Sequence, residues 1–186
     1  MPITRSTYIL LFSLIFIEAA GGLLFPPLVS LQARQANIAP IVIASFFSFL
    51  SASLLVSSSI GGWLSDKIGR KKLLISTALA GAVAWLLMSR AQATGDFIIA
   101  ALFLGLAASC LPIVQSYVVV GKDAQNDRTV MLGFIGTIIS VSAIFAPFAT
   151  SLFANENYSL AYFIIALAFA LIALCMLVFL PNEGGK

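Results

Sequence analysis

Six uninterrupted apolar runs, each long enough to cross a lipid bilayer as a helix, dictate what this chain can become. They cover residues 8–31, 40–64, 73–89, 97–121, 130–153 and 160–180. A hydrocarbon core about 30 Å thick takes roughly 20 helical residues to span. The runs are continuous and do not alternate with a period of two, which predicts helices and not the strands of a barrel. Composition agrees, with 61% of residues hydrophobic and 9% charged, where a soluble domain carries about a quarter charged. The chain therefore reads as an all-α membrane protein. Residues 1–186 form a single six-span transmembrane domain, and the short connections make neighbouring helices antiparallel. A cleaved leader is not expected at residues 8–31, because the run is too long and Glu18 interrupts it.

The charges that remain are unevenly placed. Arg5, Lys67, Arg70, Lys71, Lys72, Lys122, Arg128 and Lys186 fall on one set of loops and termini, while only Arg34 and Arg90 fall on the other. Positive charge is retained on the cytoplasmic side, so both termini are predicted to be cytoplasmic in a multi-pass protein of the cell membrane. The net charge of +3 comes from these loop residues and gives no face for nucleic acid. Cys110 and Cys175 lie inside apolar runs and read as packing residues. With no histidine and no second buried carboxylate, the chain offers neither a metal set nor an acid–base or nucleophile pair. No enzyme chemistry and no cofactor are expected.

Five of the fourteen residues in "GGWLSDKIGRKKLL" (61–74) are charged, and a need for positive charge explains neither its glycines nor its aspartate. Gly62 lets another helix approach the end of the second span. Gly69 permits a tight turn with positive φ. Asp66 is suited to accept from free backbone N–H groups at a helix N-terminus. The order Gly62-x-x-x-Asp66-Lys67-x-Gly69-Arg70-Lys71-Lys72 resembles the loop 2–3 signature of the major facilitator superfamily, G-x-x-x-D-R/K-x-G-R-R/K. It fills every defining position and lies between the second and third spans, as in that family. The resemblance implies that the chain is one half of a major-facilitator fold, a three-plus-three inverted repeat. It further implies that Asp66 latches against a helix of the other half, and that Arg70 pairs with an acid at the end of the fourth span.

Within the family the chain is most similar to the drug–proton antiporters related to tetracycline exporters. "FIEAAGGLLFPPL" matches their first span in Glu18, Gly21 and Pro27. In the fifth span, Gly133, Ser142, Ala146, Pro147, Thr150 and Ser151 take the spacing of the antiporter pattern G-x8-G-x3-G-P-x2-G-G. Two of its six positions are identical and the rest are small, which allows close helix crossing, with Pro147 kinking the span. Two departures stand out. The arginine that the family places four residues before Gly105 is Ala101, and the acid it places three residues after Tyr117 is Val120. With its usual partner gone, Arg70 is expected to turn toward Asp123 or Asp127.

Glu18 is the one charge set in the middle of a span. A carboxylate there costs roughly 2.5–3.5 kcal/mol, so it must face the bundle interior or a watery cavity. The family match makes it the proton- or cation-binding group, with Gln115 and Tyr117 of the fourth span as candidate substrate contacts. Ser116 is polar in the same stretch, and the serines of the second span read as helix-packing residues. The expected activity is secondary export of small amphipathic or drug-like molecules by alternating access. The expected partners are the bilayer, a small-molecule substrate, and a second six-helix half supplied by another copy or a missing C-terminal half. The alternative is a transport-incompetent six-helix membrane protein that acts only as an interaction partner.

Overall fold

The computed structural model describes the backbone of residues 5–120, 125–153 and 158–180. Its helices are α1 (Arg5–Gln35), α2 (Pro40–Ile68), α3 (Arg70–Arg90), α4 (Thr94–Ala108), α5 (Cys110–Val120), α6 (Gln125–Phe153) and α7 (Tyr158–Phe179). Among the described residues there is no strand. Six helical segments within these residues are long and apolar enough to cross a membrane, α4 and α5 together making the fourth.

Local chemistry sets the ends. α1 stops where Asn37 takes φ 53°, a conformation its short polar side chain tolerates. The Ile38 N–H then donates to the Ala33 carbonyl at 2.9 Å and that of Asn37 to Arg34 at 3.2 Å, the two bonds of a Schellman stop. Pro40 opens α2, where its missing N–H costs nothing. Gly69, at φ +90°, is the whole connection between α2 and α3, and its N–H closes on the Ser65 carbonyl at 3.1 Å. At the start of α4, the Asp96 carboxylate accepts from the Gln92 and Ala93 N–H groups at 3.1 and 3.0 Å, the acidic half of a capping box.

The fourth span is broken, which the apolar pattern alone did not reveal. Pro112 has no N–H to offer the Ala108 carbonyl. Ser109 takes φ −67°, ψ −7° between the two helices, and its own N–H falls back on Leu106 at 3.3 Å.

Packing follows a pseudo-symmetric plan. α3 packs most extensively against α7 and α4, α1 against α6, and α2 against α4, while α2 with α3 and α6 with α7 touch little. Exchanging the first three spans for the last three maps α3–α7 onto itself, α1–α6 onto α2–α4, and α3–α4 onto the looser α1–α7 contact, as a three-plus-three repeat requires. An aromatic chain ties the layers together. Phe25 meets Phe46 at 5.1 Å and Trp85 at 5.4 Å, and Trp85 meets Tyr162 at 5.7 Å. The outward faces carry residues such as Phe163, Leu167, Leu171 and Leu174, each about half exposed or more. Such a surface has hydrocarbon as its solvent.

Candidate functional site

Glu18 sits half-buried in the middle of α1. It lines a cavity of about 290 Å³ together with Ile15, Ala19, Leu54, Cys110, Leu111 and Ile139. Four spans therefore contribute wall: α1, α2, the junction of α4 with α5, and α6. Among the described residues no basic side chain lines this cavity and nothing hydrogen-bonds to the carboxyl. A lone carboxyl with apolar walls can hold a proton or attract one positive charge, and has little else to offer.

The break in the fourth span shapes that cavity. It places Ala108, Cys110 and Leu111 along the wall facing Glu18. Cys110, which the sequence presents as a packing residue, thus lines the cavity with Leu111, and Pro112 is the visible sign of the break. Gln115 lies one turn beyond Leu111 on the same face of α5; it is half-buried and outside the cavity lining. Tyr117 is buried in the core close to Val114.

The span five residues divide between two faces of α6. Ser142 is fully buried; its hydroxyl donates to the Ile138 carbonyl at 2.9 Å and reaches the Phe16 carbonyl of α1 at 3.3 Å. Ala146 is buried beside it. These two bring α6 close to α1 within a turn or so of Glu18. Gly133 and Pro147 are exposed, and a Cβ added to Gly133 would meet nothing within 4 Å.

The loop after α2 is just as divided. Gly62 is exposed with open space over it, whereas its neighbour Gly61 faces Ser109 and Ile113. Asp66 is exposed in the last turn of α2, away from the helix N-terminus that would have suited it. Among the described residues no hydrogen bond or ion pair engages Asp66 or Arg70. Asp123 and the side chain of Asp127, the expected partners of Arg70, lie outside the described residues. Lys67 rests its Nζ 3.9 Å above the Trp63 ring. Lys71 donates from Nζ to the Leu180 carbonyl at the end of α7, at 2.5 Å, where a cation complements the helix dipole.

Known proteins place this arrangement. A family model described as Major Facilitator Superfamily matches residues 10–186. Multidrug resistance protein 2 of Bacillus subtilis is 26% identical over 97% of this chain and 45% of its own length. Multidrug resistance protein MdtG of Citrobacter koseri is 25% identical over 90% of this chain and 42% of its own. The TsgA homolog of Buchnera aphidicola is 26% identical over 76% of this chain and 37% of its own. The chain spans less than half the length of these relatives.

Proposed function

The chain belongs to the major facilitator superfamily, and from that premise we propose that it forms the first six-helix half of a secondary transporter that exports small amphipathic or drug-like molecules by alternating access. The observation that carries the reading is Glu18, an unpartnered carboxyl in an apolar cavity built by four spans. Its role is to take up and release a proton, or to hold a substrate cation, as the cavity is exposed to one side at a time. Gln115, on the same face of α5, is proposed to contact substrate farther along that span, and Tyr117, buried in the core, to do so only as the helices rearrange. Loop 2–3 is the switch: Asp66 is free of partners among the described residues and can latch against a second half.

That second half, whether another copy, another chain or a C-terminal continuation of this one, is proposed to cover α2 and α6. The membrane-crossing windows of these helices are only 11% and 17% buried, against 56% for the fourth span. Gly62, Gly133 and Gly136 leave open space on them. A second reading rests on Ala101, which is fully buried where the family pattern carries an arginine. Under it the chain inserts and associates but does not transport.

Reconstitution separates the two. Proteoliposomes holding the chain should accumulate a fluorescent amphipathic dye under an imposed pH gradient, and Glu18→Gln should cut that rate by about tenfold or more, as loss of an essential acid–base group does. Unchanged transport in Glu18→Gln would refute the role of the carboxyl. No transport in either protein, alone or mixed with a second half, would favour the second reading.

A further inference from the structure

α2 and α3 splay apart, each held against α4 but barely touching one another. The gap is a cleft of about 260 Å³ bounded by Ile60 and Leu64 of α2, Leu73 and Thr77 of α3, Leu106 of α4, and Ser109 just after it. Its hydroxyls are already engaged. Ser57 donates to Gly105 at 2.7 Å, Thr77 to Leu74 at 2.9 Å and Ser109 to Leu106 at 2.7 Å. What the cleft offers an occupant is hydrocarbon. It opens on the outside of the bundle, where Ile60 and Leu106 are each 47% exposed.

Helical periodicity decides what stands at its end. Lys67 lies one turn beyond Leu64 and two beyond Ile60, on the same face of α2. Arg70 lies one turn before Leu73 and two before Thr77, on the same face of α3. Lys72 lies one turn before Ser76, at the cleft edge. Lys71, pointing the other way, is taken by the end of α7. Among the described residues no acid pairs with Lys67, Arg70 or Lys72. A hydrocarbon slot that ends between unpaired cations matches a molecule with an apolar tail and an anionic head.

We propose that this cleft binds an anionic phospholipid, with one acyl chain lying along α2 and α3 and the phosphate held by Lys67, Arg70 and Lys72. A zwitterionic lipid brings the same chain without net charge, so discrimination comes from the headgroup. Each cation near an anionic headgroup contributes about a fivefold preference.

Trp63 gives a direct readout, because it is exposed beside Lys67 while Trp85 is buried in the core. The full chain carrying Trp85→Phe is reconstituted in phosphatidylcholine vesicles with a minor fraction of phosphatidylglycerol, and one lipid or the other carries brominated acyl chains. Brominated phosphatidylglycerol should quench Trp63 several-fold more efficiently, mole for mole, than brominated phosphatidylcholine. That preference should vanish in Lys67→Gln/Arg70→Gln, and also in Ala80→Phe, which fills the cleft and leaves every cation in place. Equal quenching by the two lipids overturns the proposal. Quenching by neither overturns it too, since a second copy or helix would then occupy the cleft. A preference that survives Ala80→Phe, or that soluble glycerophosphate abolishes, reduces the site to a headgroup patch and overturns the acyl-chain slot. If Trp85→Phe fails to fold, the unmodified chain serves, with buried Trp85 as a constant background.

Discussion

Gly105 and Gly62 are the same residue type in neighbouring helices, and the structure gives them opposite meanings. A Cβ on Gly105 would press on Ser53 and the backbone nitrogen of Leu54. Ser53 has little room to yield, because its hydroxyl is bonded to Leu102 at 2.9 Å. Gly105→Ala should therefore destabilise the bundle by about 1–3 kcal/mol, as overpacking does, and lower its melting temperature in detergent. Gly62→Ala meets nothing and should be neutral, or up to about 1 kcal/mol more stable through helix propensity. A transport defect in a Gly62→Ala protein of normal stability would mean that its space is used by a helix outside this chain. A Gly105→Ala protein as stable as the parent would contradict the close approach of α2 and α4. At this scale the sequence was a good guide to Glu18, because a charge within a span has few tolerable places. It was a poor guide to Cys110, whose place beside Glu18 depends on which face a broken span presents.

The spans themselves were legible from length and apolarity, since the bilayer fixes how many residues must be helical. Their ends were less so. α1 continues to Gln35 and α2 to Ile68, because backbone hydrogen bonding carries a helix past the apolar run until a residue such as Asn37 or Gly69 stops it. The break between α4 and α5 was legible only through Pro112. Restoring an N–H there, with Pro112→Ala, should let the Ala108 carbonyl regain its helical partner and stabilise the span by up to about 3 kcal/mol. The same straightening should draw Cys110 and Leu111 away from Glu18 and reduce dye transport. Hydrogen exchange at residues 108–112 checks the first effect and the proteoliposome assay the second. Unaltered exchange would show that some other contact imposes the break.

For the whole molecule, the repeat and its helix pairing could not be read from apolar runs, because lipid and protein interior make the same demand on a side chain. What the sequence does carry at this scale is orientation. Around the α2–α3 turn stand Lys67, Arg70, Lys71 and Lys72, whereas the far ends of α1 and α3 carry Arg34 and Arg90 alone. If positive charge is retained inside, Ile68 faces the cytoplasm, and Ala36 and Gln92 face out. All three are exposed at helix ends or in connections, so single cysteines there are reachable without disturbing the core. In a background with Cys110 and Cys175 replaced by alanine, a membrane-impermeant maleimide added to intact cells should label Ala36→Cys and Gln92→Cys. Ile68→Cys should react only after the membrane is opened. Because successive spans run antiparallel, the three positions are not independent. Ala36 and Gln92 must share a side, and Ile68 must take the other. The reverse pattern would invert the orientation while leaving the six-span fold intact. Labelling of Ile68→Cys on the same side as Gln92→Cys would break the fold itself, since α3 alone separates them.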